Sequence, residues 1–490
     1  MEEETLESRI IKELIKTFLQ STKYKKMKAG QRYYEGNHDI QNKKLNEYKV
    51  YDPVNKVQIS KINENKSNMK INHKFHTKLV KQKVSYLCSK PITITYNKDN
   101  EENNITNLIW DKLGYRFENL IKNKVKEASN KGVAWIHPDY DIEGNLIFKS
   151  YSSDEIIPIY DTTTETVLKG IIHFYKIIDV DNQKEKIYVE WWTDKNVKYY
   201  IEEKNKEKSI FVEDVTRVKQ NCHYVSEIYD NALDNIIKIE KHSWNKVPFI
   251  KIANNEEETT DLDDIKELID AYDLINSNYI NTVEDLKEVI WLINGYGAED
   301  IMALIESIKV NGVCRNNDST GNIDAKTIEI PYEAREALLK KLKEHIYEFG
   351  RGVDTTSKDL LNQAPSGVSL KFLYSDLDLK ADDIIPELKI AIYDVLWYVL
   401  DDLKRSGKIS NDINENDFEI EFNKSRIFNE NELMQMLNND TLLSTETKLK
   451  LHPKVEDPKI ELEKIKLEKE ENFKRQQEMF TMGGFDNEEK

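Results

Sequence analysis

Three carboxylates, Asp261, Asp263 and Asp264, lie within four residues of one another in the segment TTDLDDIKELID. Clustered carboxylates of this kind hold two divalent cations against a phosphodiester in many nucleases. The same residues also fit the start of a helix, with Thr260 and Asp261 capping the first turn and the other acids offsetting the positive end of its dipole. We favour the helix start and keep a metal-dependent DNA-processing enzyme as the alternative.

Two histidines form a second candidate metal pair. His73 and His76 stand three residues apart in NHKFH, a spacing that places both imidazoles on one side of a predicted helix. The same side carries Leu79 and Val84, so we interpret both histidines as packed side chains. The chain has no GxxxxGK[ST] or GxGxxG loop and no HExxH or CxxC motif. We therefore predict no catalytic residue, no metal and no cofactor.

The acidic cluster opens a sustained heptad pattern. From Leu262 to Ile293 one set of positions recurs at steps of three and four, which is typical of a helix that packs along one seam. A helix of this length spans about 50 Å, and we predict that it packs beside copies of itself. Asn276 is the polar member, which sets register or partner number at some loss of stability. The seam comprises Leu262, Ile265, Ile269, Tyr272, Asn276, Tyr279, Val283, Leu286, Ile290 and Ile293, and we assign the assembly role to Tyr272, Asn276 and Tyr279.

Charge divides the chain into regions of opposite sign. The net charge of −17 argues against a general nucleic-acid binder, since such proteins carry a basic surface. Within the chain, Lys56–Lys90 holds nine lysines and one acid, whereas Asp261–Ile293 holds nine acids and two lysines. We expect the first region to attract polyanions and the second to repel them. No apolar run approaches the ~18 residues of a membrane span, so we expect no membrane partner.

The periodicities predict an α+β chain that is mainly α. Helical patterns occupy the N-terminus, the segment after Asn72 and the segment from about Asn104 to Asn130. Between Val133 and Asn254 the pattern changes to short β-branched and aromatic runs bounded by turn residues, which predicts a β-rich subdomain.

The C-terminal half alternates long helices with short connections. After the heptad helix comes a small insert, and Pro331 then opens a second helix, Tyr332–Phe349. A polar loop leads to a long helix from Ser366 to Arg405, which Pro386 should kink. FEIEFN returns as one strand, and the rest of the chain from Asn429 reads as helices with a disordered end.

Four segments, in chain order, resemble the recurring blocks of the portal proteins of tailed bacteriophages, of the siphophage type found with Gram-positive hosts. The likeness extends from about Tyr33 to Asp457. Each block alone is unspecific, and their occurrence in the expected order carries the resemblance. The blocks are KGVAWIHPDYDIEGNLIFKSYSSDEIIPIYD, HSWNKVPFIKIANN, LIDAYDLINSNYINTVEDLKEVIWLINGYG and PSGVSLKFLYSDLDLKADD.

The resemblance implies a portal-type fold that assembles into a ring of about twelve copies. Such a fold has long stem helices, a β-rich wing, a small α/β clip insert, a tunnel loop at the narrow point of the channel and a helical crown. In this sequence the implied parts are residues 1–260 (wing), 261–293 and 332–349 (stem helices), 294–331 (clip), 350–365 (tunnel loop), 366–428 (kinked helix and return strand of the wing) and 429–490 (crown and disordered tail).

The resemblance also implies a function. The ring would form a channel at one capsid vertex of the virion, through which double-stranded DNA is packaged and later ejected. The implied partners are copies of the chain, the duplex, the terminase large subunit, a head–tail adaptor, and the major capsid and scaffolding proteins. The chain would be made in the host cytoplasm and would have no enzymatic activity.

In such a channel the charged residues would act on DNA. An acidic stem wall repels the duplex and lets it slide, whereas a cationic lining holds phosphates through counterion release. Loop residues would touch phosphates transiently, and glycines at 350, 352 and 367 would let the loop change shape. The basic segment Lys56–Lys90 would meet either packaged DNA or an acidic face of the next subunit. The stem acids are Asp261, Asp263, Asp264, Asp270, Asp273, Glu284 and Asp285, and the loop residues are Arg351, Lys358, Asn362 and Gln363.

Overall fold

The computed structural model describes residues 5–64, 66–97, 105–163, 167–179, 184–204, 209–230, 235–285, 290–294, 322–326, 332–356, 367–424, 430–452, 455 and 458–482. The chain forms two compact units. The first comprises Met1–Val353 and Leu377–Lys424, and the second comprises Asp354–Asp376 and Ser425–Lys490. Lys358, Asn362, Gln363 and Leu286, most of the predicted clip and the end of the tail lie outside the described residues.

Helix makes up 49% and strand 24% of the structure, which confirms a mixed α+β chain. The helices are α1 (Leu6–Gln20), α2 (Thr22–Glu35), α3 (Phe75–Cys88), α4 (Ile105–Leu113), α5 (Phe117–Lys131), α6 (Lys266–Asp285), α7 (Tyr332–Phe349), α8 (Gly367–Arg405), α9 (Glu430–Asn439), α10 (Thr445–Leu451) and α11 (Pro458–Met482). The strands are β1 (Glu47–Asp52), β2 (Val57–Ile62), β3 (Ile92–Tyr96), β4 (Val133–Tyr140), β5 (Leu146–Tyr151), β6 (Ile156–Tyr160), β7 (Leu168–Asp179), β8 (Lys184–Thr193), β9 (Val197–Lys204), β10 (Ser209–Glu213), β11 (Tyr224–Asp230), β12 (Asn235–His242), β13 (Ile250–Ala253), β14 (Ile290–Asn294), β15 (Asn322–Lys326) and β16 (Phe418–Phe422).

The β-rich region predicted between Val133 and Asn254 is confirmed. It contains a five-stranded antiparallel sheet in the order β10-β9-β8-β7-β6 and a three-stranded sheet in the order β13-β4-β5. The two sheets share an aromatic core that includes Trp135, Trp192 and Phe249. Helix α1 covers the larger sheet, because Ile11 and Ile15 are buried in a cluster with residues of β6 to β10.

The helix predicted from Asn104 to Asn130 is two helices. Helix α4 ends at Leu113, and Gly114 follows with a φ of 69°, a left-handed conformation that glycine adopts without strain. Helix α5 then begins at Phe117 and ends before Gly132, as expected. The prediction missed the break because the apolar pattern continues across it.

The first stem helix is shorter than the heptad pattern predicts. Residues 261–265 form turns, α6 begins at Lys266 and ends at Asp285, and Ile290–Asn294 is strand β14. This strand pairs antiparallel with β15, with Ile290 opposite Lys326 and Asn294 opposite Asn322. The run VIWLIN is β-branched and aromatic, so it fits a strand as well as a seam, and strand pairing prevails.

The lower part of the seam packs inside the chain and not against copies of it. Leu262, Ile265 and Ile269 are buried in one cluster with Tyr33 of α2, Leu79 of α3, and Ile346 and Tyr347 of α7. Because Ile269 meets the end of α7 while Tyr279 approaches its start, α6 and α7 run antiparallel.

The long helix after the loop is confirmed. Helix α8 spans 39 residues with Pro386 inside it, on the exposed side of the helix, and its buried face includes Leu388 and Ile392. Strand β16 returns as predicted and pairs antiparallel with β3. In the second unit, the segment predicted to be helical from Asn429 forms α9, α10 and α11.

Candidate functional site

Asp261 lies at the centre of a buried ion cluster at the start of the stem. Its side chain is 5% exposed, and Lys83 Nζ and Lys380 Nζ each approach one of its carboxylate oxygens to 3.2 Å. Asn254 Nδ2 donates a third hydrogen bond, of 2.8 Å. Burial alone would raise the pKa of Asp261, but the two ammonium groups outweigh it and hold that pKa well below its usual range.

The two lysines come from the apolar faces of their helices. Lys83 lies on the buried face of α3 with Leu79 and Leu87, and Lys380 lies on the buried face of α8 beside Leu377. Burial lowers the pKa of Lys83 despite the nearby carboxylate. Nearby, His76 bonds Asn130 at 3.0 Å, and burial lowers its pKa to about 4, so it is neutral at pH 7 and adds no third positive charge.

The three clustered carboxylates therefore do not converge on one point. Asp261 is occupied by lysines, Asp263 Oδ2 accepts from Lys26 at 3.1 Å and from the backbone N–H of Thr260 at 3.3 Å, and Asp264 is exposed. The prediction that Asp261 caps the helix is wrong, because its carboxylate bonds buried lysines and Asp263 bonds the backbone instead. Among the described residues no group of three His, Cys, Asp or Glu side chains is placed to hold a metal ion.

The buried face of α6 carries polar side chains every fourth residue, and these bind an extended segment antiparallel to the helix. Backbone N–H groups of alternate residues in that segment donate to successive helix side chains. The four bonds join His73 N to Asp273 Oδ1 (2.8 Å), Ile71 N to Ser277 Oγ (3.0 Å), Met69 N to Asn281 Oδ1 (2.7 Å) and Ser67 N to Asp285 Oδ1 (2.9 Å). The spacings match, since two extended residues rise ~6.6 Å and four helical residues ~6 Å.

Two histidines complete this polar ladder at its lower end. His38 Nδ1 lies 2.6 Å from one oxygen of Asp273, and His73 Nδ1 lies 2.8 Å from the other. Burial alone would raise the pKa of Asp273, but hydrogen bonds from His38 and His73 outweigh it and lower that pKa. The interpretation as a packed side chain is confirmed for His76, which is buried and bonds Asn130. It is wrong for His73, which precedes α3, is 32% exposed and bonds Asp273 from the extended segment.

Most of the predicted stem acids are used within the chain. Asp270 accepts from Lys266 at 2.7 Å and from the hydroxyl of Tyr33. Of the seven acids, all of which the structure describes, only Asp264 and Glu284 are classed as exposed. The excess negative charge of this segment is thus largely a set of internal acceptors, which the charge count does not reveal.

Tyr272, Asn276 and Tyr279 face α7 across an open groove of about 330 Å³, where they meet Arg335 and Leu339. The guanidinium of Arg335 lies 5.3 Å from the centre of the Tyr279 ring. All three seam residues stay half-buried, so their role in assembly remains a prediction.

The start of the predicted tunnel loop is docked on the first unit. Lys380 Nζ donates to Gly350 O at 2.9 Å, and Gln82 makes two hydrogen bonds to the buried Val353. A Cβ at Gly352 would lie 2.1 Å from a methyl group of Leu79. The glycines at 350 and 352 therefore permit close packing here, contrary to the prediction that they give the loop freedom.

Of the four loop residues predicted to touch DNA, Arg351 is the one that the structure describes. Its backbone has a φ of 49°, a left-handed conformation unusual for a side chain other than glycine. Its guanidinium bonds Asp383 of α8 at 2.7 Å, with both side chains about half exposed. A phosphate would therefore have to compete with Asp383 for this cation.

A family model described as "Phage portal protein, SPP1 Gp6-like" matches residues 19–475. The chain belongs to this family of phage portal proteins. Members of the family are structural proteins of the phage particle without enzymatic activity, and so is this chain. The recognition of the portal family from the four sequence blocks is confirmed, and the enzyme alternative is excluded.

Two relatives carry the same description. The portal protein of Clostridium phage phiCD119 is 30% identical over 347 residues, which cover 68% of this chain and 71% of that protein. The portal protein of Bacillus phage SPP1 is 27% identical over 437 residues, covering 88% of this chain and 80% of that protein. Both phages infect Gram-positive hosts, as predicted.

The chain is also similar to a chain in a solved structure titled "Neck of empty GTA particle computed with C6 symmetry". The TM-score is 0.41 at 11% identity, with coverage of 82% of this chain and 95% of that one. A likeness this remote bears neither on assembly nor on individual residues. None of the described helices is long and apolar enough to cross a membrane.

Proposed function

We propose that about twelve copies of the chain form a closed ring at one capsid vertex, and that double-stranded DNA passes through its central channel during packaging and ejection. The observation that carries the proposal is the portal-family match over residues 19–475. The antiparallel helices α6 and α7, which precede and follow the paired strands β14 and β15 in the sequence, support it, because this order is that of a stem with a clip at its end.

The parts of the ring follow from this layout. Residues 1–260 and 366–428 would form the wing, α6 and α7 the stem, and 294–331 the clip. The clip would bind the terminase large subunit during packaging and a head–tail adaptor afterwards. Residues 429–490 would form the crown, and the ring would contact the major capsid and scaffolding proteins. The chain would be made in the host cytoplasm before it enters the virion.

The channel residues proposed here differ in one respect from those predicted from the sequence alone. Most stem acids are buried or half-buried, and Asp264 and Glu284 are the members exposed enough to repel a duplex. In the tunnel loop, residues 350–365, Arg351 would exchange Asp383 for a passing phosphate. The loop positions Lys358, Asn362 and Gln363 would supply the remaining phosphate contacts.

Genetic complementation tests this function. A phage that lacks its copy of this gene is supplied with the wild-type chain, and nuclease-protected DNA per particle is measured. We expect filled heads with the chain and empty heads without it. Particles that package DNA equally well without the chain would refute the proposal.

A further inference from the structure

We propose that the β1–β2 hairpin is an arm that packs on a neighbouring copy of this chain. The inference rests on the proposed ring, and it assigns part of the contact between subunits to Glu47–Ile62. The hairpin is fully paired, from Glu47 opposite Ile62 to Asp52 opposite Val57. Yet all but two of its twelve strand residues are exposed. A two-stranded hairpin without a covering element is at best marginally stable in water.

One face of the hairpin is more apolar than the other. Directly opposed residues of an antiparallel pair share a face, so Tyr48, Val50, Val57 and Ile59 lie on one face, together with Asp52 near the turn and Lys61 near the base. Tyr48, Val57 and Ile59 are 48%, 52% and 39% exposed, respectively. The opposite face carries Glu47, Lys49, Gln58 and Ser60 together with Tyr51 and Ile62. We call the first face, with four apolar residues of six, the apolar face, and the second, with two of six, the polar face.

The base of the hairpin is anchored, so the arm has a defined position. Asn46 and Asn63 close it, with Asn63 N donating to Asn46 O at 2.9 Å and Asn46 Nδ2 donating to Asn63 O at 3.1 Å. The chain then enters the polar ladder, where Ser67 N bonds Asp285 at the end of α6. The hairpin therefore extends from the end of the stem helix that is nearest to the clip strands in sequence.

Charge favours a second copy of the chain as the partner that packs on the arm. Residues 43–66 hold six lysines and three acids, whereas the whole chain has a net charge of −17. The arm together with its flanking residues is thus a basic, partly apolar element on an acidic molecule, which suits a head-to-tail contact between identical subunits. A duplex would satisfy the lysines, but its phosphates would leave the apolar face uncovered.

The test compares two substitutions on adjacent residues of β2 that point to opposite faces. Ile59→Asp places a carboxylate on the apolar face, and Ser60→Asp places the same charge on the polar face, opposite Lys49. Assembly is followed by solution mass over a dilution series, and unfolding temperature checks that each monomer is folded. We expect Ile59→Asp to raise the concentration for half-assembly by at least about tenfold, because it buries a charge in the proposed contact, and Ser60→Asp to leave it unchanged.

A second variant replaces residues 47–62 by two glycines, which the closed base allows without strain elsewhere. It should unfold at the wild-type temperature but assemble poorly. Unchanged assembly of both Ile59→Asp and the deletion, in a wild type that forms rings, would overturn the inference while leaving the proposed function intact. If these variants still form intact rings but no longer bind a labelled linear duplex, the arm contacts DNA and not a neighbouring copy. A wild-type chain that forms no ring would contradict the proposed function itself.

Discussion

Replacing Asp261 by Asn removes the only carboxylate that bonds Lys83 and Lys380 in the described ion cluster, while nearly keeping the shape of the side chain. The two lysine side chains are 1% and 9% exposed, so neither ammonium can turn to water without opening the core. Breaking a buried ion pair by removing one partner lowers the free energy of unfolding by about 3–5 kcal/mol. Because Asp261 serves two cations, we expect a loss in the upper part of this range.

This loss of stability is measured as a fall in the unfolding temperature. With an unfolding entropy of about 2.1 cal/mol/K per residue, a chain of 490 residues that unfolds in one step has about 1 kcal/mol/K in total. The Asp261→Asn variant should therefore unfold about 4–5 °C below wild type. Asp263→Asn is the matched control, because it removes one partly exposed bond to Lys26 and should shift the temperature by about 1 °C or less. Both are compared at one protein concentration, since assembly also stabilises the fold.

The pH dependence of stability shows whether Asp261→Asn destabilises the fold through an unpaired buried charge or through lost packing. Burial depresses the pKa of Lys83, and without Asp261 that pKa should fall further. Between the folded and unfolded pKa values the unfolded chain binds more protons, so stability rises with pH there. The deficit of Asp261→Asn should accordingly shrink from about pH 7 to about pH 10. Equal destabilisation by the Asp261 and Asp263 variants, or a deficit independent of pH, would refute the buried-cluster account.

Two further substitutions test the packing around the stem. Asn281→Ala removes the side chain that bonds the backbone N–H and C=O of Met69, and it should lower the free energy of unfolding by about 1–3 kcal/mol. The control Asn278→Ala, at an exposed position of the same helix, should change that free energy by no more than about 0.5 kcal/mol. Urea unfolding of both variants checks this, and equal urea midpoints would count against the ladder. Gly352→Ala places a Cβ against a methyl group of Leu79, and this overpacking should lower the free energy of unfolding by about 1–3 kcal/mol. An unchanged unfolding temperature would mean that the loop moves away from Leu79 without loss of stability.

The sequence predicted the helices and the β-rich region well, because local periodicity controls them. It failed where a residue's partner is distant in the chain. Lys83 is the instructive case, since it occupies a position of the apolar stripe of α3, between Leu79 and Leu87. A lysine at such a position signals a buried ion pair, but nothing local names Asp261 as its partner.

The stem helix shows the same limit. Asp273, Ser277, Asn281 and Asp285 recur every four residues, so a second, polar stripe was visible beside the heptad seam. The charge count treated its acids as a solvated face, whereas an extended segment about two hundred residues away supplies their donors. That segment has no pattern of its own, because apart from the His73 ring its backbone makes the bonds.

The solution mass of the purified full-length chain, measured together with class averages of negatively stained particles, tests the central claim most directly. The account predicts a closed ring with a central hole and a mass near ~690 kDa, if about twelve chains assemble with cyclic symmetry from subunits of 57.6 kDa. A compact monomer or dimer, or an open polymer of variable length, would contradict it.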